Sequence, residues 1–225
     1  MKQTAASDNN LPVGEGDECP DRATLAAVQD IPVYDAEGNA VPFGSLYHPD
    51  TTPHQRQLII FVRHFYCGAC QAYVKALVEG ISIDDYYSIP TPTSIIIIGC
   101  GKPDLIPQYR RFTNQCQYTI LAEPTRMLFK KLGMNWSMSL GSERPDYMRE
   151  ISVLDVVKGQ VRDVSGAVKD PEGIRKRDVF RGGHPLQIGG EFLFEDGQVI
   201  WCHRMKHMRG HAEISVLRKL LELDD

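Results

Sequence analysis

The chain of 225 residues lacks any run of about 20 apolar residues, the length that a helix needs to cross a bilayer. Residues 1–17 are polar and have no apolar stretch of the kind found in a secretory signal peptide. A basic stripe is also missing, since the net charge is −4 and the short cluster Arg175-Lys176-Arg177 is followed by Asp178. These absences predict a cytoplasmic protein whose main partner is neither a nucleic acid nor a membrane.

Cysteine is too scarce for a disulfide scaffold, because the chain has only six. In a reducing compartment most of them should be buried thiols, and only a pair with a lowered pKa should react. We predict burial for Cys100, Cys116 and Cys202, with a resolving role for Cys202 as the alternative. Cys19 is expected to be an exposed thiol that is inert or pairs between subunits.

The sequence has neither an internal repeat nor a low-complexity tract. Its hydrophobic content of 42% and charged content of 24% are typical of a globular protein. We predict a flexible lead over residues 1–20 and a single α/β domain over 21–225, with an insertion at about 135–185.

Apolar periodicity predicts the order of helices and strands. A short helix over 21–29 is followed by a β-hairpin over 31–43 and by strands and helices that alternate from 57 to 132. This order requires a parallel sheet. A helix is predicted from about 147 to 157, a second hairpin over 191–203 and an amphipathic helix over 211–223.

The motif Cys67-Gly68-Ala69-Cys70 follows the apolar run 58–62 and opens a helix. Unpaired N–H groups and the positive dipole end of that helix favour thiolate over thiol at Cys67. Cys70 lies one turn later, near enough to form a disulfide with it. His64 can stabilise the thiolate if it is protonated, or shuttle its proton if it is neutral.

Two groups of residues in the sequence could in principle bind a metal ion. The two thiols could be half of a zinc site, but no second close pair of cysteines or histidines is present. His203, His207 and His211 recur every four residues, which on one helix would form a metal-binding face. Gly210 and the strand-like residues before His203 favour a surface loop instead, so we predict no metal.

The order of elements is that of a thioredoxin fold with an N-terminal extension. Residues 58–70 resemble the signature of the peroxiredoxin-like (AhpC/TSA-type) proteins of the peroxiredoxin-like 2 group. Residues 31–38, 131–133 and 189–194 are similar to the same family, and 201–213 resembles a fungal subset. The resemblance implies a thioredoxin-like fold with an N-terminal β-hairpin extension and an insertion before the C-terminal β-hairpin and helix.

The same resemblance implies that Cys67 is the reactive cysteine. The family's hydroxyl residue three positions earlier is replaced by His64, and Gly189-Gly190 stands where its remote arginine is expected. Arg63 and His64 are candidate replacements, and Arg204 is expected to approach from the neighbouring hairpin strand.

The substrate side is inferred from two further differences. Tyr66 precedes the first cysteine, where thioredoxins carry tryptophan. Gly189 and Gly190 would leave room for a substrate beside the thiols. These residues are the predicted substrate contacts, together with Arg204.

The resulting prediction is a thiol-based oxidoreductase that reduces peroxide or disulfide substrates through Cys67, with Cys70 as resolving thiol. A cellular dithiol would be the reductant, and no metal or organic cofactor is required. A homodimer is one possible state of the protein. One alternative is a biosynthetic enzyme whose insertion shapes a pocket for an organic molecule, with Trp136 and Tyr147 either as a lid or in ordinary packing. The other is a non-catalytic regulatory module.

Overall fold

A strand built on the apolar run 58–62 lies at the centre of the sheet. In the computed structural model, which describes residues 17–149 and 182–223, β3 (Arg56–Val62) pairs in parallel with β4 (Thr93–Gly99). On its other side β3 pairs antiparallel with β6 (Gly190–Glu195). Every residue of β3 is buried, because hydrophobic clusters cover both faces of the sheet.

The remaining elements complete a seven-stranded sheet with helices. The other strands are β1 (Pro32–Tyr34), β2 (Ala40–Pro42), β5 (Thr119–Ala122) and β7 (Gln198–Arg204). The helices are α1 (Arg22–Val28), α2 (Gly68–Gly80), α3 (Ile83–Ser88), α4 (Ile106–Phe112), α5 (Met127–Lys131) and α6 (Ile214–Leu220). The strand order is β2-β1-β5-β4-β3-β6-β7, so β2 and β7 form the two edges.

This architecture confirms the predicted α/β fold and both hairpins. β3, β4 and β5 are parallel, as alternating strands and helices require, while β1–β2 and β6–β7 are antiparallel pairs. The sequence reasoning missed α3, whose start is fixed by a reciprocal capping box between Ser82 and Asp85. The last helix is shorter than predicted, at 214–220.

Parts of the predicted lead and insertion lie outside the described residues. These parts are 1–16 and 150–181, which include Arg175-Lys176-Arg177 and most of the helix expected over 147–157. At the described end of the lead, the amide of Asp17 donates to the carbonyl of Cys202 on β7 at 2.8 Å. Residues 17–20 therefore lie against the sheet.

Alternation along β7 sends its side chains to opposite faces of the sheet. Trp201 belongs to the hydrophobic cluster shared with α2 and α6, whereas Cys202 belongs to the cluster shared with α1 and α5. His203 accordingly faces the α2 side, and Arg204 lies over the ring of Phe192 on the other side, 5.4 Å from its centroid.

Gly189 and Gly190 allow the main chain to approach closely, rather than opening a space. A Cβ atom on Gly189 would overlap the carbonyl oxygen of Phe61, and one on Gly190 would overlap that of His203. The expectation that these glycines leave room for a substrate is therefore wrong, because neighbouring backbone fills the volume.

The histidines predicted in a surface loop instead meet at a buried carboxylate. Glu191 is fully buried, with Nδ1 of His211 at 2.5 Å and Nδ1 of His203 at 2.9 Å from its two oxygens. His211 is buried as well and stacks on the ring of Tyr73, 4.1 Å between centroids. The surface-loop interpretation is wrong for both residues: the register of β6 and β7 pairs His203 with Glu191, and His211, in the segment after β7, is buried against the same carboxylate.

The charges of this cluster oppose the effect of burial. Burial raises the pKa of Glu191, but the neighbouring His211 and His203 outweigh it and lower the pKa to about 2. Burial lowers the pKa of His203, yet its hydrogen bond to Glu191 and the charge of Glu191 make the net shift upward. Glu191 is therefore ionised at neutral pH.

We expect Gly189→Ala to lower the free energy of unfolding by about 2 kcal/mol or more, because the new methyl group overlaps the Phe61 carbonyl. Urea unfolding measures the change. The control is Gly38→Asn, at a left-handed turn position with open space, which should change it by about 0.5 kcal/mol or less. Equal stability of Gly189→Ala and wild type would contradict the close approach.

Glu191→Gln should lower the free energy of unfolding by roughly 2 kcal/mol, since it removes the charge that two imidazoles face. The contribution of Glu191 to the free energy of unfolding is fully present above its ordinary pKa of 4.5 and is lost as pH falls toward its folded pKa of about 2. The contribution of His203 to the free energy of unfolding is fully present below its ordinary pKa of 6.5. It is lost as pH rises through the higher pKa that His203 has in the folded protein.

The difference between Glu191→Gln and wild type should thus be largest between pH 4.5 and 6.5 in urea unfolding across a pH series. The exposed Glu37→Gln serves as the control. A difference that does not change with pH would rule out an ionised Glu191.

Candidate active site

Cys67 is the N-cap residue of α2, at the turn that joins β3 to this helix. Its amide donates to the carbonyl of His64 at 2.9 Å, which closes the turn after the strand. Its Sγ accepts the amide N–H of Cys70 at 3.4 Å. The predicted position of Cys67 at a helix N-terminus is confirmed, and an amide there donates to its sulfur.

Arg63 places a buried guanidinium beside this sulfur. Nη1 lies 3.1 Å from the Sγ of Cys67, and Nε donates to the carbonyl of Gln187 at 3.0 Å. The carbonyls of Met208 and Pro185 accept further hydrogen bonds from Nη1 and Nη2. Within residues 17–149 and 182–223 no carboxylate forms an ion pair with Arg63, so Cys67 is the acidic group that faces its charge.

The pKa values of the two thiols are shifted in opposite directions. The hydrogen bond from the Cys70 thiol and the charge of Arg63 outweigh burial and hold the pKa of Cys67 well below its ordinary value. Burial, followed by the adjacent Cys67, raises the pKa of Cys70 well above its ordinary value. Both cysteines are free and buried, and these opposite shifts favour ionisation of Cys67 over that of Cys70.

His64 does not supply the positive charge. Burial lowers its pKa, with Arg63 and His184 adding to the effect and Cys67 opposing it. The imidazole is therefore neutral near neutral pH, and the cation beside Cys67 is Arg63. Of the two roles predicted for His64, this direction favours proton transfer by the neutral ring.

Residues 182–187, which we call the covering segment, pack across the turn that carries the thiols. The amide of Phe65 donates to the carbonyl of Gly182 at 3.0 Å, and Gly182 lies against the ring of Tyr66, where any Cβ would overlap it. The Tyr66 hydroxyl donates to Oε1 of Gln108 at 3.3 Å. Tyr66 is thus beside the thiol turn, and its contact with substrate stays a prediction.

Gln187 fixes the end of the covering segment that holds Arg63. Its side-chain amide donates to the carbonyls of Met134 and Asn135, both at 2.8 Å, while its own carbonyl accepts from Arg63. Sequence reasoning missed this residue and the carbonyls of Pro185 and Met208. Main-chain acceptors have no residue-type signal, so the sequence pattern could not have revealed them.

Arg204 is not brought to the thiols. Its Nε donates to the carbonyl of Leu132 at 2.6 Å and its Nη1 to that of Glu18 at 2.9 Å. Strand alternation explains this, because Arg204 points to the face opposite α2. The expected approach of Arg204 from the hairpin is therefore wrong.

Trp136 and Tyr147 occupy different environments. Tyr147 is buried, packs edge-to-face on Tyr73 with centroids 5.1 Å apart, and donates to the carbonyl of Arg209 at 2.6 Å. This is core packing. Trp136 is 67% exposed and lines a cavity beside the covering segment.

Among the described residues, no group of three or more histidine, cysteine or acidic side chains could hold a metal ion. The same part of the chain contains no helix that is long and apolar enough to span a bilayer.

Arg63→Met should raise the pKa of Cys67, because it removes the charge that Nη1 delivers to the sulfur. The measurement is the ultraviolet absorbance of the thiolate as a function of pH. Arg63→Lys is the matched variant and should retain part of the lowering, since it keeps the charge but not the fork of donors. An unchanged titration in Arg63→Met would refute the ion pair, and a Cys67 pKa at its ordinary value in wild type would favour the non-catalytic module.

Comparison with known proteins gives concordant results. Residues 83–207 match the AhpC/TSA antioxidant enzyme family, a match that begins after the two thiols. Human peroxiredoxin-like 2C is 27% identical over 198 residues, covering 87% of this chain and 79% of the relative. The Takifugu rubripes peroxiredoxin-like 2C is 29% identical over 197 residues, covering 87% and 80%.

The fold is shared with a peroxiredoxin-like protein from Aquifex aeolicus. The TM-score is 0.51 at 11% identity, with 92% of this chain and 85% of that chain covered. Family and fold together support a thiol oxidoreductase at a general level. More than half of the sequence matches one family, and the chain therefore belongs to the AhpC/TSA antioxidant enzymes, with a peroxiredoxin-like fold.

Proposed function

We propose that this protein reduces hydroperoxides or small disulfides through Cys67, with Cys70 as the resolving thiol and a cellular dithiol as the reductant. The observation that carries the proposal is the 3.1 Å contact between Arg63 Nη1 and the Sγ of Cys67. It places a fixed positive charge where a nucleophilic thiolate is needed. No metal or organic cofactor takes part in these steps.

The first step with a hydroperoxide is attack of the Cys67 thiolate on the terminal oxygen. The S–O bond forms as the O–O bond breaks, which leaves Cys67 as a sulfenic acid and releases an alkoxide that is protonated to an alcohol. Arg63 can stabilise the charge that moves from sulfur to oxygen. The neutral His64 is close enough to Cys67 for the thiolate charge to affect its pKa, and it is the candidate proton carrier.

The second step joins the two sulfurs. Cys70 gives up its proton and attacks the sulfenic sulfur of Cys67, so that an S–S bond forms and water leaves. Cys70 lies one helical turn after Cys67, and its amide already donates to the Sγ of Cys67, which makes it the candidate to attack the oxidised sulfur. A cellular dithiol then reduces the Cys67–Cys70 disulfide, and two electrons have passed to the peroxide.

Access to the thiols depends on the covering segment. Cys67 is only 3% exposed and Cys70 is fully buried, so displacement of residues 182–187 from Phe65 and Tyr66 would precede reaction with anything larger than hydrogen peroxide.

A second candidate rests on the cavity next to the covering segment. It measures about 560 Å³ and is lined by Met127, Met134 and Trp136, with Arg126 and Lys130 at its rim. This volume suits a small organic substrate. An enzyme that acts on such a molecule at this cavity would keep its activity when both thiols are replaced.

We expect Cys67→Ser to reduce peroxide consumption to background in stopped-flow assays with hydrogen peroxide, an organic hydroperoxide and a small disulfide. Cys70→Ser should consume about one equivalent of peroxide and then stop, because the sulfenic acid forms but is not resolved. The readouts are peroxide consumed and trapping of the sulfenic acid by dimedone.

The matched control is Cys116→Ser, which changes another buried cysteine, whose carbonyl bonds to Arg110. It should turn over like wild type. Equal peroxide consumption by Cys67→Ser and wild type would eliminate the peroxidase. Activity on an organic substrate that survives Cys67→Ser/Cys70→Ser would instead establish the second candidate.

A further inference from the structure

A second pair of cysteines lies on the opposite face of the sheet from Cys67. Cys202 on β7 is fully buried, and its Sγ lies 3.5 Å from the carbonyl oxygens of Asp17 and Glu18. The next residue is Cys19, which is half-buried against the same hydrophobic cluster and contributes to the raised pKa of Cys202. The contacts of Cys202 with the carbonyls of residues 17 and 18 bring Cys19 into its neighbourhood, although 183 positions separate the two cysteines in the sequence.

Arg204 and the main chain hold this pair in place. The amide of Arg204 donates to the carboxylate of Asp17 at 2.7 Å, and its Nη1 donates to the carbonyl of Glu18 at 2.9 Å. The same Nη1 lies 3.4 Å from the Sγ of Cys202. Residues 17–20, which we call the N-terminal arm, are therefore held against β7 immediately before Cys19, with no covalent bond required.

Solvent reaches the pair from the arm side. Cys19 lines a polar cavity of about 620 Å³, together with Arg204 and Lys206. Cys202 is sealed beneath the arm, and burial raises its pKa to about 12 although Arg204 opposes the effect. An oxidant would thus meet Cys19 first, and Cys202 would be the thiol that reacts second.

We propose that Cys19 and Cys202 form a second redox pair, whose disulfide fastens the N-terminal arm to β7. With a hydroperoxide as oxidant, the Cys19 sulfur takes the terminal oxygen, the O–O bond breaks and an alcohol leaves. Cys202 loses its proton and attacks the sulfenic sulfur, the S–S bond forms and water leaves. Two electrons pass from the pair to the peroxide, and a dithiol reverses the change. This step does not require the chemistry proposed for Cys67.

The arm is also connected to the Arg63 site through hydrogen bonds. Arg204 donates to the carbonyl of Leu132, and two and three residues later the carbonyls of Met134 and Asn135 accept from the side-chain amide of Gln187. The main-chain carbonyl of Gln187 accepts from Arg63. The Cys19–Cys202 disulfide would attach the N-terminal arm covalently at the Arg204 end of these contacts. The bond itself and its effect on thermal stability can therefore be measured separately.

The experiment uses the full chain as Cys67→Ser/Cys70→Ser, so that failure of the proposed peroxidase cannot affect the result. The protein is treated with hydrogen peroxide, blocked with N-ethylmaleimide, digested without reductant and mapped by mass spectrometry. We expect a peptide pair that joins Cys19 to Cys202 in the monomer and disappears with dithiothreitol. Covalent dimers through Cys19, or alkylation of both cysteines after oxidation, would overturn the proposal.

Thermal unfolding provides the second measurement. The oxidised protein should unfold about 5 °C or more above the reduced form, because the link closes a long loop in the unfolded chain. Cys19→Ser changes the half-buried partner and should fold, yet show no such rise. An equal midpoint for the oxidised and reduced forms of the parent would show that the bond does not lock the arm.

Discussion

A guanidinium group buried among main-chain carbonyls and one sulfur is the interaction on which the site depends. The carbonyls of Gln187, Pro185 and Met208 accept hydrogen bonds from Arg63, but they carry no net charge to balance it. A buried charge without a counterion is costly, so the fold favours ionised Cys67 for the same reason that it tolerates Arg63. Among the residues that the structure describes, protonation of the Cys67 sulfur would leave the Arg63 cation without a counterion.

The sheet makes this contact possible by bringing together three distant parts of the chain. Arg63 follows the last residue of β3, and β6 pairs with β3 on one side. The covering segment precedes β6 and Met208 follows β7, so both reach the end of β3 where the thiols lie. Close contact of Gly189 with the Phe61 carbonyl brings the start of β6 tightly against β3. The geometry of the thiol site is thus set by strand packing.

The sequence predicted those features that are local. Apolar runs identified β3 and β4, and the Cys67–Cys70 spacing at a strand-to-helix turn located the thiols. The sequence could not identify contacts that depend on strand register, such as Glu191 with His203, or on the path of the chain after β7, such as Glu191 with His211. The position of Arg204 on the face away from α2 follows from alternation along β7, which is itself a local feature of the sequence. α3 was missed because its helix signal is a capping box on six residues rather than an apolar stripe.

The arm on β7 has a consequence for how copies of this chain meet. β7 is a seven-residue edge strand, and its outer backbone groups would offer hydrogen bonds to a strand from another molecule. The amide of Asp17 already occupies the carbonyl of Cys202 in the middle of that edge, and at the opposite edge β2 is only three residues long and ends in Pro42. The Asp17 amide thus removes one acceptor from the longer edge, and the shorter edge offers few groups, so each margin has a feature that disfavours strand addition.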